Sequence, residues 1–121
     1  NMSKKILIYI EKQNSVSEEL AKKAQELLQK VMAANQLQPE DIVSLIFSAT
    51  GDLTAAFPSA GIRALGDFSK VPLLDVQQMN VDGSLPMCLR LLLYTEKQGT
   101  EQEVKFVYLH GARVLRPDLV Q

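Results

Sequence analysis

The sequence predicts an α+β domain: a mixed sheet of about five strands with one long and one short helix on one face. Three observations lead to this fold class. One long segment has apolar residues at helical spacing, several short segments are rich in apolar and β-branched residues, and turn residues separate them. With 121 residues and 46% hydrophobic residues, the chain has the size of one domain, which we place at residues 1–121.

The two helices differ in length and in the signals that begin them. The long helix is predicted from Ser17 to about Ala34, because Ser15–Glu18 fits a capping box and Asn35 ends the pattern. Its apolar face consists of Leu20, Ala24, Leu27, Leu28, Val31 and Met32. The short helix is predicted from about Pro58 to Leu65, since proline suits a first helical turn.

The strands are separated by short polar connections. They are predicted at Lys5–Ile10, Ile42–Ala49, Val71–Met79, Met87–Glu96 and Lys105–His110. Ile42–Ala49 is nearly all apolar, so we expect it to be central in the sheet. The connections are predicted to be a turn or helical turn at Pro39–Asp41, a turn at Asp82–Pro86, a loop or short helix at Lys97–Glu103 and a docked tail at Ala112–Val120. An uncovered sheet face or an unpaired edge favours a trimer around a strand-lined core.

Composition excludes several classes of function. The net charge of −1 gives no reason to expect a nucleic-acid or anionic-membrane partner. One cysteine and one histidine exclude an intramolecular disulfide framework and the usual cysteine or multi-histidine metal centres. No apolar stretch approaches membrane-spanning length, and the start of the chain has no long apolar signal region, so we expect a cytoplasmic protein.

The most informative residue is Arg90, an arginine in the middle of an apolar strand. Alternation places Arg90 on one strand face with Cys88 and Leu92. Both faces are apolar, so we expect Arg90 to be largely buried. Burying a guanidinium is costly unless an anion meets it, so a bound anion is one explanation and a structural ion pair is the other.

A set of short motifs, taken in order and spacing, resembles the monofunctional, trimeric chorismate mutase family of the Bacillus type. The motifs are Ser48–Leu53, Ala56–Ser59, Ile62-Arg63, Val71–Leu74, Gly83–Pro86, Cys88–Arg90, Val107–Leu109 and Val114–Leu119. The resemblance implies a trimer of pseudo α/β-barrel shape with active sites at the subunit interfaces. It also implies that the ligand is chorismate, which is converted to prephenate in aromatic amino-acid biosynthesis.

The residue inventory suits that reaction. The rearrangement is a unimolecular pericyclic shift that needs no nucleophile, general base, metal or cofactor. It needs a dicarboxylate held in a compact conformer and a cation where negative charge develops on the breaking ether oxygen. The chain is poor in the groups that hydrolysis or metal chemistry requires.

The resemblance also implies roles for individual residues. Arg90 faces the ether oxygen and a carboxylate, Tyr108 reaches a carboxylate, Phe57 and Leu115 form an apolar wall, and Arg63 and Arg116 lie at the site mouth and on the tail. For Arg90 the alternative is a structural ion pair, and for each of the others it is a packing or surface role.

The chain departs from the family pattern at three positions. Gln78 stands where the family usually has a glutamate, and Asp75 stands where a small residue is common. A strand end or bulge would turn both toward one pocket, with Asp75 as carboxylate and Gln78 as acceptor; polar residues at a strand end are the alternative. Leu7 replaces a first-strand arginine that binds a substrate carboxylate, so we expect weakened substrate binding.

Three functions therefore stay open. The first is a chorismate mutase whose activity is reduced by Leu7. The second is a non-catalytic or regulatory relative that binds an aromatic-pathway carboxylate. The third is a structural trimer whose pocket has lost its ligand, in which case Arg90 would pair with protein carboxylates.

Overall fold

The structure, a computed structural model, describes residues 5–12, 17–97 and 104–109. Its elements in chain order are strand β1 (Lys5–Lys12), helix α1 (Ser17–Ala34), a 3-10 turn (Pro39–Asp41), β2 (Ile42–Ala49), α2 (Pro58–Arg63), β3 (Leu73–Gln77), β4 (Cys88–Thr95) and β5 (Val107–Leu109). The strands form a mixed sheet in the order β3-β2-β4-β1-β5. Strand β4 runs antiparallel to β1 and β2, whereas β3 and β5 run parallel to their neighbours. The predicted α+β class with a mixed sheet and two helices is confirmed.

The core lies between the helices and one face of the sheet. Helix α1 buries its predicted apolar stripe against alternate residues of β2 and β4. Side chains about 3.6 residues apart share one face of the helix and every second side chain shares one face of a strand, so each element presents one apolar face to the other. The buried set includes Leu20, Ala24, Leu27, Leu28 and Val31 from α1, Leu45 and Phe47 from β2, and Leu89, Leu91 and Leu93 from β4. Burial of this set supplies most of the apolar stabilisation of the described chain.

Helix α2 packs closely on α1 at Gly61. A Cβ atom at this position would lie 2.6 Å from the Ala21 carbonyl oxygen, so only glycine permits this approach. Gln25 of α1 donates from Nε2 to the Gly61 carbonyl oxygen at 2.8 Å. The two helices therefore form one layer.

The other face of the sheet is not covered by a helix within the described residues, and we call it the bare face. On β3, Leu74 and Val76 are 54% and 42% exposed on this face. As predicted, β2 is an interior strand, paired with β3 on one side and β4 on the other. Of its two faces, the one that carries Leu45 and Phe47 is buried under the helices.

Several helices and strands are shorter than predicted, and one strand is longer. Strand β3 begins at Leu73 rather than Val71, whose N–H closes a turn onto the Phe68 carbonyl oxygen at 3.0 Å. Helix α2 ends at Arg63, β4 is shorter at both ends than predicted, and β1 extends to Lys12. Strand β5 begins at Val107 rather than Lys105, and its predicted end at His110 lies outside the described residues. Within the described part of the chain, the search for a helix long and apolar enough to cross a membrane finds none.

Candidate functional site

Strand pairing places Arg90 and Tyr108 in one row across the bare face. Arg90 of β4 is the Cα partner of Ile10 on β1 and of Ser48 on β2. Ile10 is in turn the partner of Tyr108 on β5, and Ser48 is the partner of Val76 on β3. Residues paired across a sheet lie on the same face, so the row runs from Tyr108 through Arg90 to Val76.

The described residues provide hydrogen-bond partners for only part of the Arg90 guanidinium. Its Nη2 donates to the Ser48 hydroxyl oxygen at 3.3 Å. Its Nε is buried and has no hydrogen-bond partner among the described residues, and no carboxylate of those residues forms a salt bridge with it. An unpaired buried donor on a cation is costly, so this arrangement suits an anionic or strongly polar ligand.

Gln78 provides a hydrogen-bond acceptor on the face where Arg90 provides a donor. It follows β3, and its backbone N–H donates to the Ala49 carbonyl oxygen at 2.8 Å, which continues the pairing with β2. Alternation from Val76 places Gln78 on the bare face with Arg90. Its Oε1 is buried and also lacks a hydrogen-bond partner among the described residues. The same face therefore offers an unused donor on a cation and an unused neutral acceptor.

A turn after β2 is hydrogen-bonded to the start of β4, the strand that carries Arg90. Thr50 and Cys88 bond in both directions: the Thr50 N–H donates to the Cys88 carbonyl oxygen at 3.0 Å, and the Cys88 N–H donates to the Thr50 hydroxyl oxygen at 2.9 Å. The Thr50 hydroxyl donates to the Asp52 Oδ1 at 2.5 Å, and the Met87 N–H donates to the Asp52 Oδ2 at 3.0 Å. These bonds hold the end of β2 against the beginning of β4.

The hydrogen bonds of this turn shift the acidity of Asp52. The hydroxyl of Thr50 lowers the pKa of Asp52 below its ordinary value of 3.8, desolvation opposes this, and the Met87 N–H lowers it further. The contact between Thr50 and Asp52 was not predicted from the sequence. The signal that could have found the contact is an aspartate two residues after a threonine at the end of a strand.

Asp75 lies on the opposite face from Arg90. It is the Cα partner of Phe47, whose side chain is fully buried under the helices. Its two oxygens accept from the Ser59 N–H at 3.0 Å and from the Ser59 hydroxyl at 2.5 Å, and Arg63 Nη1 donates to the Ser59 hydroxyl oxygen at 3.1 Å. Asp75 therefore ties the first turn of α2 to β3.

The structure does not bring Asp75 and Gln78 into one pocket. The β2–β3 register is regular from Leu45↔Leu73 to Ala49↔Gln77, with no bulge that would turn them to the same side. The shared pocket required a strand end or bulge that turns both residues to one side. Gln78 instead continues the pairing with β2 through its N–H, so the two residues, three apart, face opposite ways.

The remaining predicted site residues are distributed around the molecule. Phe57 is 69% exposed and lines a cavity of about 570 Å³ that also includes Gly51, Asp75 and Val76. Arg63 is exposed and lines a different cavity of about 390 Å³. Leu115 and Arg116 lie outside the described residues. Leu7 pairs with Leu93 and is therefore three positions along β1 from Ile10, the partner of Arg90.

Comparisons with known proteins agree with one another. The sequence model of the family described as chorismate mutase type I matches residues 8–119. The chain is 36% identical over 107 residues to chorismate mutase AroH of Bacillus subtilis (strain 168), covering 88% of this chain and 84% of that protein. It is 42% identical over 95 residues to AroH of Thermus thermophilus, covering 78% of this chain and 77% of that protein. A solved chorismate mutase from Clostridium thermocellum superposes with a TM-score of 0.87 at 31% identity, over 91% of this chain and 98% of that one.

Proposed function

The chain belongs to the chorismate mutase type I family, and we propose that it is an isomerase that converts chorismate to prephenate at the bare face of the sheet. The observation that carries this site assignment is the buried Nε of Arg90, which has no hydrogen-bond partner in the described part of the chain. It lies on a face that offers both a second polar group, Gln78, and exposed apolar side chains.

In this proposal Arg90 stabilises the charge that develops in the transition state. The carbon–oxygen bond of the enol ether breaks while a carbon–carbon bond forms, and no proton is transferred. Negative charge grows on the ether oxygen, and a guanidinium already fixed by Ser48 and the strand ladder meets it without reorganisation. The planar fork of arginine can bond a carboxylate at the same time.

The other side chains orient the substrate. Gln78 accepts a hydrogen bond from the substrate hydroxyl, and Tyr108 donates one to a carboxylate. Phe57 and Leu115 supply an apolar wall, while Arg63 and Arg116 attract the dianion at the mouth. Asp75 acts indirectly, since its bonds to Ser59 hold the helix that carries Arg63 and follows Phe57.

We further propose a homotrimer with the sites at its subunit interfaces. The cavity that Phe57 lines does not include Arg90 among its described lining residues. The bare face presents Leu74 and Val76, which are 54% and 42% exposed and would gain from burial against another copy. A second copy that covers this face would also exclude water from Arg90, which strengthens its electrostatic interactions.

The loss of chorismate ultraviolet absorbance, with prephenate identified as the product, tests the proposal. We expect saturable turnover by the unmodified protein and a loss of about 10²- to 10³-fold in kcat/KM for Arg90→Ala. Arg63→Ala is the comparison, because it removes an exposed arginine that we assign only to attracting the dianion at the mouth, so it should lower kcat/KM far less than Arg90→Ala. Turnover that is equally insensitive to both changes would exclude Arg90 as the central cation.

A specific observation keeps a second function open. Leu7 stands where the family pattern has an arginine, so the chain lacks one carboxylate-binding cation on its first strand. Binding of prephenate without any turnover of chorismate would favour a non-catalytic relative that senses an aromatic-pathway carboxylate.

A further inference from the structure

Asn35, which follows helix α1, is a buried polar residue whose hydrogen bonds reach the segment before β5. Its Nδ2 donates to the Val31 carbonyl oxygen at 2.9 Å and to the Lys105 carbonyl oxygen at 3.1 Å. Its Oδ1 accepts from the Lys105 N–H at 2.8 Å. The side chain thus holds both backbone groups of Lys105, as a neighbouring strand would, while it also binds a carbonyl in the last turn of α1.

Strand β5 has few other features that determine its register. It is three residues long and pairs only with β1 in the described sheet. Its residues belong to an unbroken apolar run, Phe106–Leu109, so polar alternation does not distinguish one strand face from the other. A slip of one residue would move Tyr108 from the row of Arg90 to the face that α1 covers.

We propose that Asn35 is a positioning residue that fixes the register of β5 and thereby holds Tyr108 in the row of Arg90. The effect passes through the backbone, because Asn35 bonds the N–H and the carbonyl of Lys105, three residues before Tyr108. Tyr108 is only 7% exposed, so it has little room to adjust independently. The inference rests on the proposed function, in which Tyr108 contacts the substrate.

A double-mutant cycle separates positioning from general destabilisation. We expect Asn35→Ala to lower kcat/KM for chorismate about tenfold, because misplacing one contact group is costly for a reaction that depends on orientation. In a Tyr108→Phe background the same change should have little further effect, whereas in an Arg90→Lys background it should keep its full effect. An equal loss in both backgrounds would mean that Asn35 is merely structural and would overturn the proposal.

Gln25→Ala is the matched control. It also removes a hydrogen bond from an α1 amide to a backbone carbonyl, but that bond goes to Gly61 in α2 and not toward β5. Its effect on kcat/KM should be the same in the Tyr108→Phe background as in the unmodified protein. Assays are compared at a temperature where circular dichroism shows every variant to be folded, and Asn35→Asp replaces Asn35→Ala if the alanine variant does not fold.

A second readout does not depend on activity. Among the three tyrosines, the ring signal of Tyr108 in a ¹³C-labelled sample is identified by its loss in Tyr108→Phe. Asn35→Ala should shift that signal and speed hydrogen exchange of the Lys105 amide, while Gln25→Ala should do neither. An unchanged Tyr108 signal would overturn the inference. If Tyr108→Phe leaves kcat/KM unaltered, the proposed role of Tyr108 fails, and the spectra still decide whether Asn35 sets the strand.

Discussion

The two faces of the sheet differ in how far the chain itself completes them. On the face beneath the helices, Phe47, Leu89 and Leu91 are fully buried. On the bare face, Leu74 and Val76 stay exposed and the Arg90 Nε has no partner among the described residues. The same strands build both faces, so alternation assigns burial under the helices to one set of side chains and, in our proposal, ligand and subunit recognition to the other.

Neighbouring leucines of β4 give the largest test of this division. Leu91 is fully buried beneath the helices, whereas Leu92 is on the bare face and half-buried. Leu91→Ala should lower the free energy of unfolding by about 2–5 kcal/mol through lost burial and a cavity. Leu92→Ala should cost clearly less in the monomer, and its effect should grow with protein concentration if copies associate through this face. Urea denaturation at several protein concentrations measures the free energy of unfolding of both variants. Equal losses that do not depend on protein concentration would contradict the division between the two faces.

Replacing Arg90 with an apolar residue should separate stability from activity. Arg90→Leu removes a buried donor without a partner, and leaving such a donor unpaired costs about 1–3 kcal/mol. We therefore expect the variant to unfold at the same temperature as the unmodified protein or higher, while kcat/KM falls by about 10²- to 10³-fold. Thermal denaturation and the absorbance assay test both. A marked drop in melting temperature would show that Arg90 serves the fold.

Gln78 offers a smaller test of the bare face. Gln78→Ala removes a neutral acceptor and should reduce kcat/KM about fivefold, consistent with the loss of one hydrogen bond of about 1 kcal/mol. Asp75→Ala should affect activity only as far as it loosens α2, so a matched loss of stability should accompany it. If Asp75→Ala abolishes turnover with stability intact, Asp75 acts on the substrate and its assignment to the helix side is incomplete.

Asp52 should make the turn before β4 sensitive to acid. Its folded-state pKa lies below the ordinary value of 3.8, so its ionised form stabilises the fold fully above the unfolded-state pKa. This contribution is lost as the pH falls below 3.8 and through the lower folded-state value. Asp52→Asn should therefore lower the melting temperature slightly at pH 7, and the difference should shrink below about pH 4. A difference that is constant from pH 7 to pH 3 would mean that the charge of Asp52 is irrelevant.

The sequence predicted an element or the face of a residue correctly where the apolar residues follow one clear spacing, either helical or alternating. The bounds of α1 follow from its apolar stripe, and the alternation of β4 places Arg90 opposite the core leucines. The prediction failed at element ends, as at α2, which was predicted to reach Leu65 but ends at Arg63. The bonds of Asn35 with Lys105 could not be predicted, because they join residues 70 apart in the chain.

Asp75 shows a different limit. Its parity relative to Gln78 already indicated opposite faces, and the prediction of a shared pocket depended on a strand end or bulge. The β2–β3 register is regular, and the Gln78 N–H continues that pairing. The partner that explains Asp75, Ser59 at the start of α2, is recognisable only once the helix is placed on the sheet. The spacing of residues along a strand therefore predicts which face of the sheet a side chain is on, but not which residue it hydrogen-bonds.

The most direct test of the central claim is to observe the Nε–H of Arg90 by ¹⁵N nuclear magnetic resonance during titration with prephenate. The chain has four arginines, and the Arg90 signal is identified by its absence in Arg90→Lys. We predict that this signal shifts and exchanges more slowly with water as prephenate binds, because the unpaired donor acquires an acceptor. An Arg90 signal that stays fixed at saturating prephenate would contradict the assignment of the ligand site to the bare face.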